Sequence, residues 1–103
     1  MQNYMDREWL EPWEHISESD RAFFKKQLAK EITSLHPLYG LQLTPIGRNG
    51  ANDDLLVTLS TEKFAVVHLT WGSSGDHFWP STEFFDSWEE FVSIKMKEDN
   101  FGY

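Results

Sequence analysis

Eight consecutive residues, Phe64-Ala65-Val66-Val67-His68-Leu69-Thr70-Trp71, restrict what this chain can fold into more than any other feature. On a strand, alternate side chains point to opposite faces. Phe64, Val66 and His68 then fall on one face, and Ala65, Val67, Leu69 and Trp71 on the other. A strand that is apolar on both faces needs cover on both, from the chain's own elements or from a second copy. Its partner precedes it in sequence. The run 55–59 (Leu55-Leu56-Val57-Thr58-Leu59) and the four residues Ser60-Thr61-Glu62-Lys63 predict a hairpin with Leu59 opposite Phe64, Val57 opposite Val66 and Leu55 opposite His68. Those six residues would share one face.

Around the hairpin the apolar period is helical at both ends of the chain. Ser17-Glu18-Ser19-Asp20 offers N-caps with acids in the first turn, and Phe24, Leu28, Ile32 and Leu35 then recur on one stripe. The spacing predicts a long helix that Pro37 and Gly40 stop beyond His36, with Lys25, Lys26, Gln27 and Lys30 on its outer faces. Before it, Met5, Trp9 and Leu10 predict a short helix ending near Leu10, where Pro12 forces a turn through Glu11-Pro12-Trp13-Glu14. Leu41 and Leu43 open a further strand, followed by a connecting loop over 47–54. A short strand over 82–85 returns to the sheet edge. Asp86-Ser87-Trp88-Glu89 reads as a capping box opening a helix over 87–97, with Trp88, Phe91, Val92 and Met96 as its stripe and 98–103 as a frayed tail. The expectation is one α+β domain over 1–103: a small antiparallel sheet of three or four strands, with an N-terminal long helix and a C-terminal helix packed on it.

Charge and composition narrow the function. The 103 residues carry a net charge of −8, spread as −2 over 1–35, −1 over 36–75 and −5 over 76–103. Self-repulsion of this kind disfavours nucleic acid and anionic lipid and draws in basic partners. No apolar run is long enough for a membrane span, and the first residues lack the basic start and apolar stretch of a signal peptide, so a cytoplasmic location is expected. The absence of cysteine excludes disulfides and thiolate metal sites.

No reaction is announced by the remaining motifs. The four histidines lack metal-ligand spacing, and His68 reads as a hydrogen-bonded core residue. Asp53-Asp54 lacks the ligand order of a calcium loop. There is no nucleophile elbow, and neighbouring acids such as Glu89 and Glu90 suit a helix start rather than a glycosidase pair. No catalytic residue, metal or cofactor is expected, and the chain reads as a non-enzyme. Five tryptophans stand out instead, because indoles concentrate at the energetic centres of protein interfaces. Trp88 reads as core, and Trp9 and Trp13 as docking the first helix. Trp71 and Trp79 bracket the glycine-rich loop Gly72-Ser73-Ser74-Gly75-Asp76-His77-Phe78.

The stretches Lys63-Phe64-Ala65-Val66-Val67-His68-Leu69-Thr70-Trp71 and Trp79-Pro80-Ser81-Thr82-Glu83-Phe84-Phe85 resemble those of small bacterial cytoplasmic proteins. More distantly, an acidic cysteine-free chain of this length ending in Phe85-Asp86-Ser87-Trp88-Glu89-Glu90-Phe91 is similar to immunity proteins of bacterial toxin systems. That resemblance implies a protein that binds a basic toxin or nuclease and obstructs it, with no catalytic residue. The expected partner surface is Trp71, Asp76, His77, Trp79, Glu83, Glu89 and Glu90, indoles as anchors and carboxylates as steering charges. The alternatives are a ligand-binding or enzymatic pocket around His68, Asp76, His77 and Trp79, and a homodimer or larger homo-oligomer built on the two-sided strand.

Overall fold

The hairpin forms, but one residue out of the expected register. In the computed structural model, which describes residues 4–59, 63–72, 75, 76 and 78–103 without the side chain of Met5, β3 (Leu55–Thr58) pairs with β4 (Phe64–His68). Leu55 faces Val67, Leu56 faces Val66, Val57 faces Ala65 and Thr58 faces Phe64. The Leu59 N–H donates to the Lys63 carbonyl at 2.8 Å, so Lys63 belongs to the pairing and not to the connection. Residues 60–62 lie outside the described residues. Because the side-chain period is two, the slip exchanges faces. Leu55, Val57, Leu59, Ala65 and Val67 line one face of the sheet, and Leu56, Phe64 and Val66 line the other.

The chain is α+β, with five strands in one antiparallel sheet ordered β1-β2-β3-β4-β5, rather than three or four. β2 (Thr44–Asn49) starts later than Leu41 and runs through Gly47-Arg48-Asn49, which had read as loop. β5 (Ser81–Phe85) is the expected edge strand beside β4. The unforeseen strand is β1 (Trp13–His15), paired with the end of β2 where a turn was expected. Tertiary contacts make it. The Trp13 indole is buried, donates Nε1–H to Asp99 Oδ2 at 2.8 Å and meets Phe91 edge to face at 5.1 Å. Beside it, Trp9 lies against Trp88 at 5.1 Å and presses so closely on β2 that a Cβ on Gly47 would collide with its ring. Trp9 and Trp13 thus pack inside the chain, as expected, and they do so against the C-terminal helical run. Instead of a helix ending near Leu10 there is one 3-10 turn, Tyr4–Asp6.

The long helix, α1 (Glu18–Glu31), is capped by Ser17, whose Oγ accepts from the Asp20 N–H at 3.3 Å. It follows β1 and ends five residues before His36. Its buried residues are Phe24, Gln27, Leu28 and Glu31, so Gln27 lies inside and Leu35 outside, against expectation. Ile16, Phe24, Leu28, Ile32 and Leu38 cover the Leu55/Val57/Ala65/Val67 face.

The opposite face is covered by the C-terminal helical run: α2 (Trp88–Phe91), a π-helical segment Val92–Met96 and α3 (Lys97–Asn100) without a break. The capping box uses Ser87 and Glu90, one residue later than expected. Ser87 Oγ accepts from the Glu90 N–H at 3.0 Å, and Glu90 Oε1 accepts from the Asp86 N–H at 3.3 Å. In the π turn the Lys97 N–H reaches back five residues to the Val92 carbonyl. Phe91 and Met96, five apart, are both fully buried, a pairing that uninterrupted α spacing would send to different sides. The expected frayed tail is helical as far as Asn100, whose side chain donates to the Glu11 carbonyl at 2.6 Å. Cover for the two-sided strand therefore comes from within the chain. Among the described residues no helix is long and apolar enough to cross a membrane.

Candidate functional site

Thr70 and Trp71, which follow β4, sit on the C-terminal end of α1, and a single carboxylate holds them there. Glu31 occupies a position on the buried stripe of α1 where an apolar residue would be usual, and it is 1% exposed. Its Oε1 accepts from the Thr70 N–H and the Thr70 hydroxyl, both at 2.8 Å. Its Oε2 accepts from the Trp71 N–H at 3.1 Å and from Gln27 Nε2 at 2.7 Å. Four donors on one buried carboxylate satisfy it without a counter-ion. Gln27 also donates to the Gly72 carbonyl at 3.0 Å, which explains why it is buried.

The same chain segment is fastened further along. The Gly75 N–H donates to the Glu31 carbonyl at 3.1 Å, and Thr33 Oγ1 donates to the Gly75 carbonyl at 2.6 Å. A Cβ on Gly75 would collide with both the Glu31 and Trp79 carbonyls, so glycine is required by the close approach. His36, buried, accepts from the Leu38 N–H through Nδ1 at 3.0 Å, which leaves Nε2–H to donate to the Pro80 carbonyl at 2.8 Å. These bonds end α1 early: once Glu31 and Thr33 are committed to residues some 40 positions away, the backbone leaves the helix at Ile32.

On this firm seat two indoles remain outside. Trp71 is 46% exposed and Trp79 56% exposed. Trp71 also holds φ +62°, the left-handed region that bulky side chains rarely adopt. Its backbone is fixed there by the bond to Glu31, and its ring lies 6.1 Å from that of exposed Phe23 and 6.3 Å from that of Phe24. Asp76 acts on backbone, accepting from the Phe78 and Trp79 N–H groups at 2.9 and 3.0 Å. His77 lies outside the described residues, as do Ser73 and Ser74.

The other carboxylates of the expected surface are elsewhere. Glu83 pairs across from Val66 on the opposite face of the sheet, 3.2 Å from His68 Nε2 and 3.6 Å from Lys95 Nζ. Glu89 is exposed in the first turn of α2, and Glu90 is engaged in the helix cap. Trp71 and Trp79 share a seat; Glu83, Glu89 and Glu90 belong to the other layer. No described hydrogen bond, ion pair or ring contact joins the two groups. Residue spacing does not show this separation, because it follows from which face each element covers.

His68 is the centre of a second polar cluster. Its Nδ1 lies 2.8 Å from Asp54 Oδ2, and Asp54 is 4% exposed. No aligned hydrogen bond reaches that oxygen among the described residues. At this distance from a ring flanked by two carboxylates the contact is nonetheless an ion pair, since charge attraction does not require alignment. The Asp54 carboxylate holds the His68 pKa above its ordinary value; burial opposes it, and Glu83 adds to it. The cluster continues through Lys95 to Asp99, 3.6 Å away, and so to Trp13. When protonated, an imidazole with a carboxylate at each nitrogen offers no lone pair to a metal or a substrate proton. This geometry suits a clasp between strands and C-terminal helix. Asp53, also once a calcium-loop candidate, is bonded to Arg48 at 2.6 Å.

Sequence reasoning did not single out Glu31. The signal was present: an acid seven residues after Phe24 and three after Leu28, on the stripe that faces the core. Compared with known proteins, the chain matches no family model, no curated protein and no solved structure.

Proposed function

We propose that the protein is a non-enzymatic binding domain that engages a protein partner through the indoles of Trp71 and Trp79. The observation that carries this reading is the conformation of Trp71, a half-exposed tryptophan held in the left-handed region by a buried carboxylate. Glycine would take that backbone at no steric cost. A strained, outward-facing tryptophan on a rigid support is better explained by a contact outside the chain than by packing within it. Phe23 at 58% exposure and Phe78 at 74% extend the apolar surface available to a partner.

The net charge of −8 favours a basic partner and speeds its approach at low salt. An immunity or inhibitor protein neutralising a basic toxin in the bacterial cytoplasm is the specific form of this reading. In it Asp76 is the carboxylate nearest the indoles in the chain, while Glu83, Glu89 and Glu90 act at longer range. The test is retention of a basic protein from host lysate at low salt by the wild type, by W71A/W79A and by E83K/E89K/E90K. Loss with the tryptophan pair and slower, less salt-sensitive association with the charge reversals are expected. Retention unchanged by W71A/W79A would overturn the assignment.

A further inference from the structure

A shallow trough of about 310 Å³ lies between α1 and the segment 38–43 that leads into β2, apart from both clusters described above. Its lining is mostly aliphatic: Leu28, Ile32 and Leu38 are buried members of the core, Leu41 and Leu43 pack partly buried beside them, and the exposed Tyr39 stands at the rim. Lys25 is the one ionised lining residue, and no Asp or Glu is among them, in a chain of net charge −8. Lys25 makes no ion pair among the described residues, as is also true of Lys26 and Lys30 on the same helix, so its charge is open to a ligand. An apolar trough with one unpaired cation and no anion is complementary to an alkyl chain that ends in a single negative charge.

We propose that this trough binds a fatty carboxylate, its chain along Leu28, Ile32, Leu38 and Leu43 and its head group on Lys25. The volume sets the length. A methylene fills roughly the 30 Å³ of one water molecule, so the trough holds about ten carbons. A peptide helix, about 10 Å across with its side chains, needs a wider seat. The site is independent of the tryptophan surface, and either assignment stands if the other fails.

The test is amide chemical-shift mapping of the full chain with decanoate, octanoate and decyltrimethylammonium, each below its micelle concentration. Decanoate is expected to shift amides of 25–43 and to saturate below about 1 mM, an affinity ordinary for a small ligand in an open site. Octanoate binds about fifteenfold more weakly, because two methylenes fewer are removed from water. The cation does not bind the wild type but binds K25E, which in turn loses decanoate. A29W, at an exposed position lining the trough, stays folded by its shift pattern and loses both ligands. No saturable shift from decanoate, equal binding of the cation by the wild type, or decanoate binding unchanged in K25E or A29W would each overturn the proposal.

Discussion

Glu31 and Asp54 are both buried carboxylates, one on each side of the sheet, and the chain satisfies them by different means. Glu31 accepts four hydrogen bonds from groups that do not titrate: two backbone amides, a hydroxyl and a side-chain amide. Asp54 meets an imidazole that must be protonated to pair with it. The first arrangement fixes a backbone conformation at any pH at which the carboxylate is ionised. The second is conditional on a proton. The difference separates a rigid platform, on which Trp71 is presented, from a pH-dependent clasp that ties β3, β4 and β5 to the C-terminal helix.

Removing Glu31 has the largest expected effect. E31A leaves the Thr70 and Trp71 amides without their acceptor at a partly buried site and should cost about 2 kcal/mol by denaturant unfolding. Amide exchange at Trp71 should be slow in the wild type and fast in E31A. If exchange stayed slow, something other than Glu31 would be holding the turn.

The clasp should answer to pH through its imidazole. Because the His68 pKa is raised in the fold, its contribution is complete below its ordinary value of 6.5 and is lost as the pH climbs through the folded value. H68Q should therefore cost about 1 kcal/mol at pH 5.5 and progressively less in alkaline buffer. His15, whose pKa is lowered by burial and then by Arg21, acts in the opposite sense, destabilising the fold as the pH falls below 6.5. It is present in both proteins and cancels in the difference. A wild-type and H68Q gap that was flat with pH, or that widened on the alkaline side, would contradict the ion-pair description.

The same comparison marks what could be read from the sequence. Local signals were legible: Ser17 before an apolar stripe, a capped helix start near residue 87 to within one residue, and a two-sided strand demanding cover on both faces. What depends on partners distant in the chain was not. The hairpin register turned on whether Lys63 belongs to strand or connection, a choice of one residue that exchanges every face. β1 exists because Asp99, 86 residues on, receives the Trp13 indole. Leu35 fits the helical stripe by spacing, but Glu31 and Thr33 are already bound to residues 70–75 and the helix has ended. Of the expected contact surface, the exposed indoles Trp71 and Trp79 share a seat, while Glu83, Glu89 and Glu90 lie across the sheet because β5 and α2 turn them to its other face. Spacing along one element decides which residues share a face; only packing decides which faces meet.

The smallest expected effect is the most telling. In W71G the left-handed backbone becomes unstrained, a gain of about 1 kcal/mol, which offsets the loss of half-exposed ring contacts with Phe23 and Phe24. The unfolding free energy of W71G should lie within about 1 kcal/mol of the wild type, as it must if the indole faces outward for a partner. A loss of more than about 2 kcal/mol would show that Trp71 is there to hold the fold together, and the binding role assigned to it would fall.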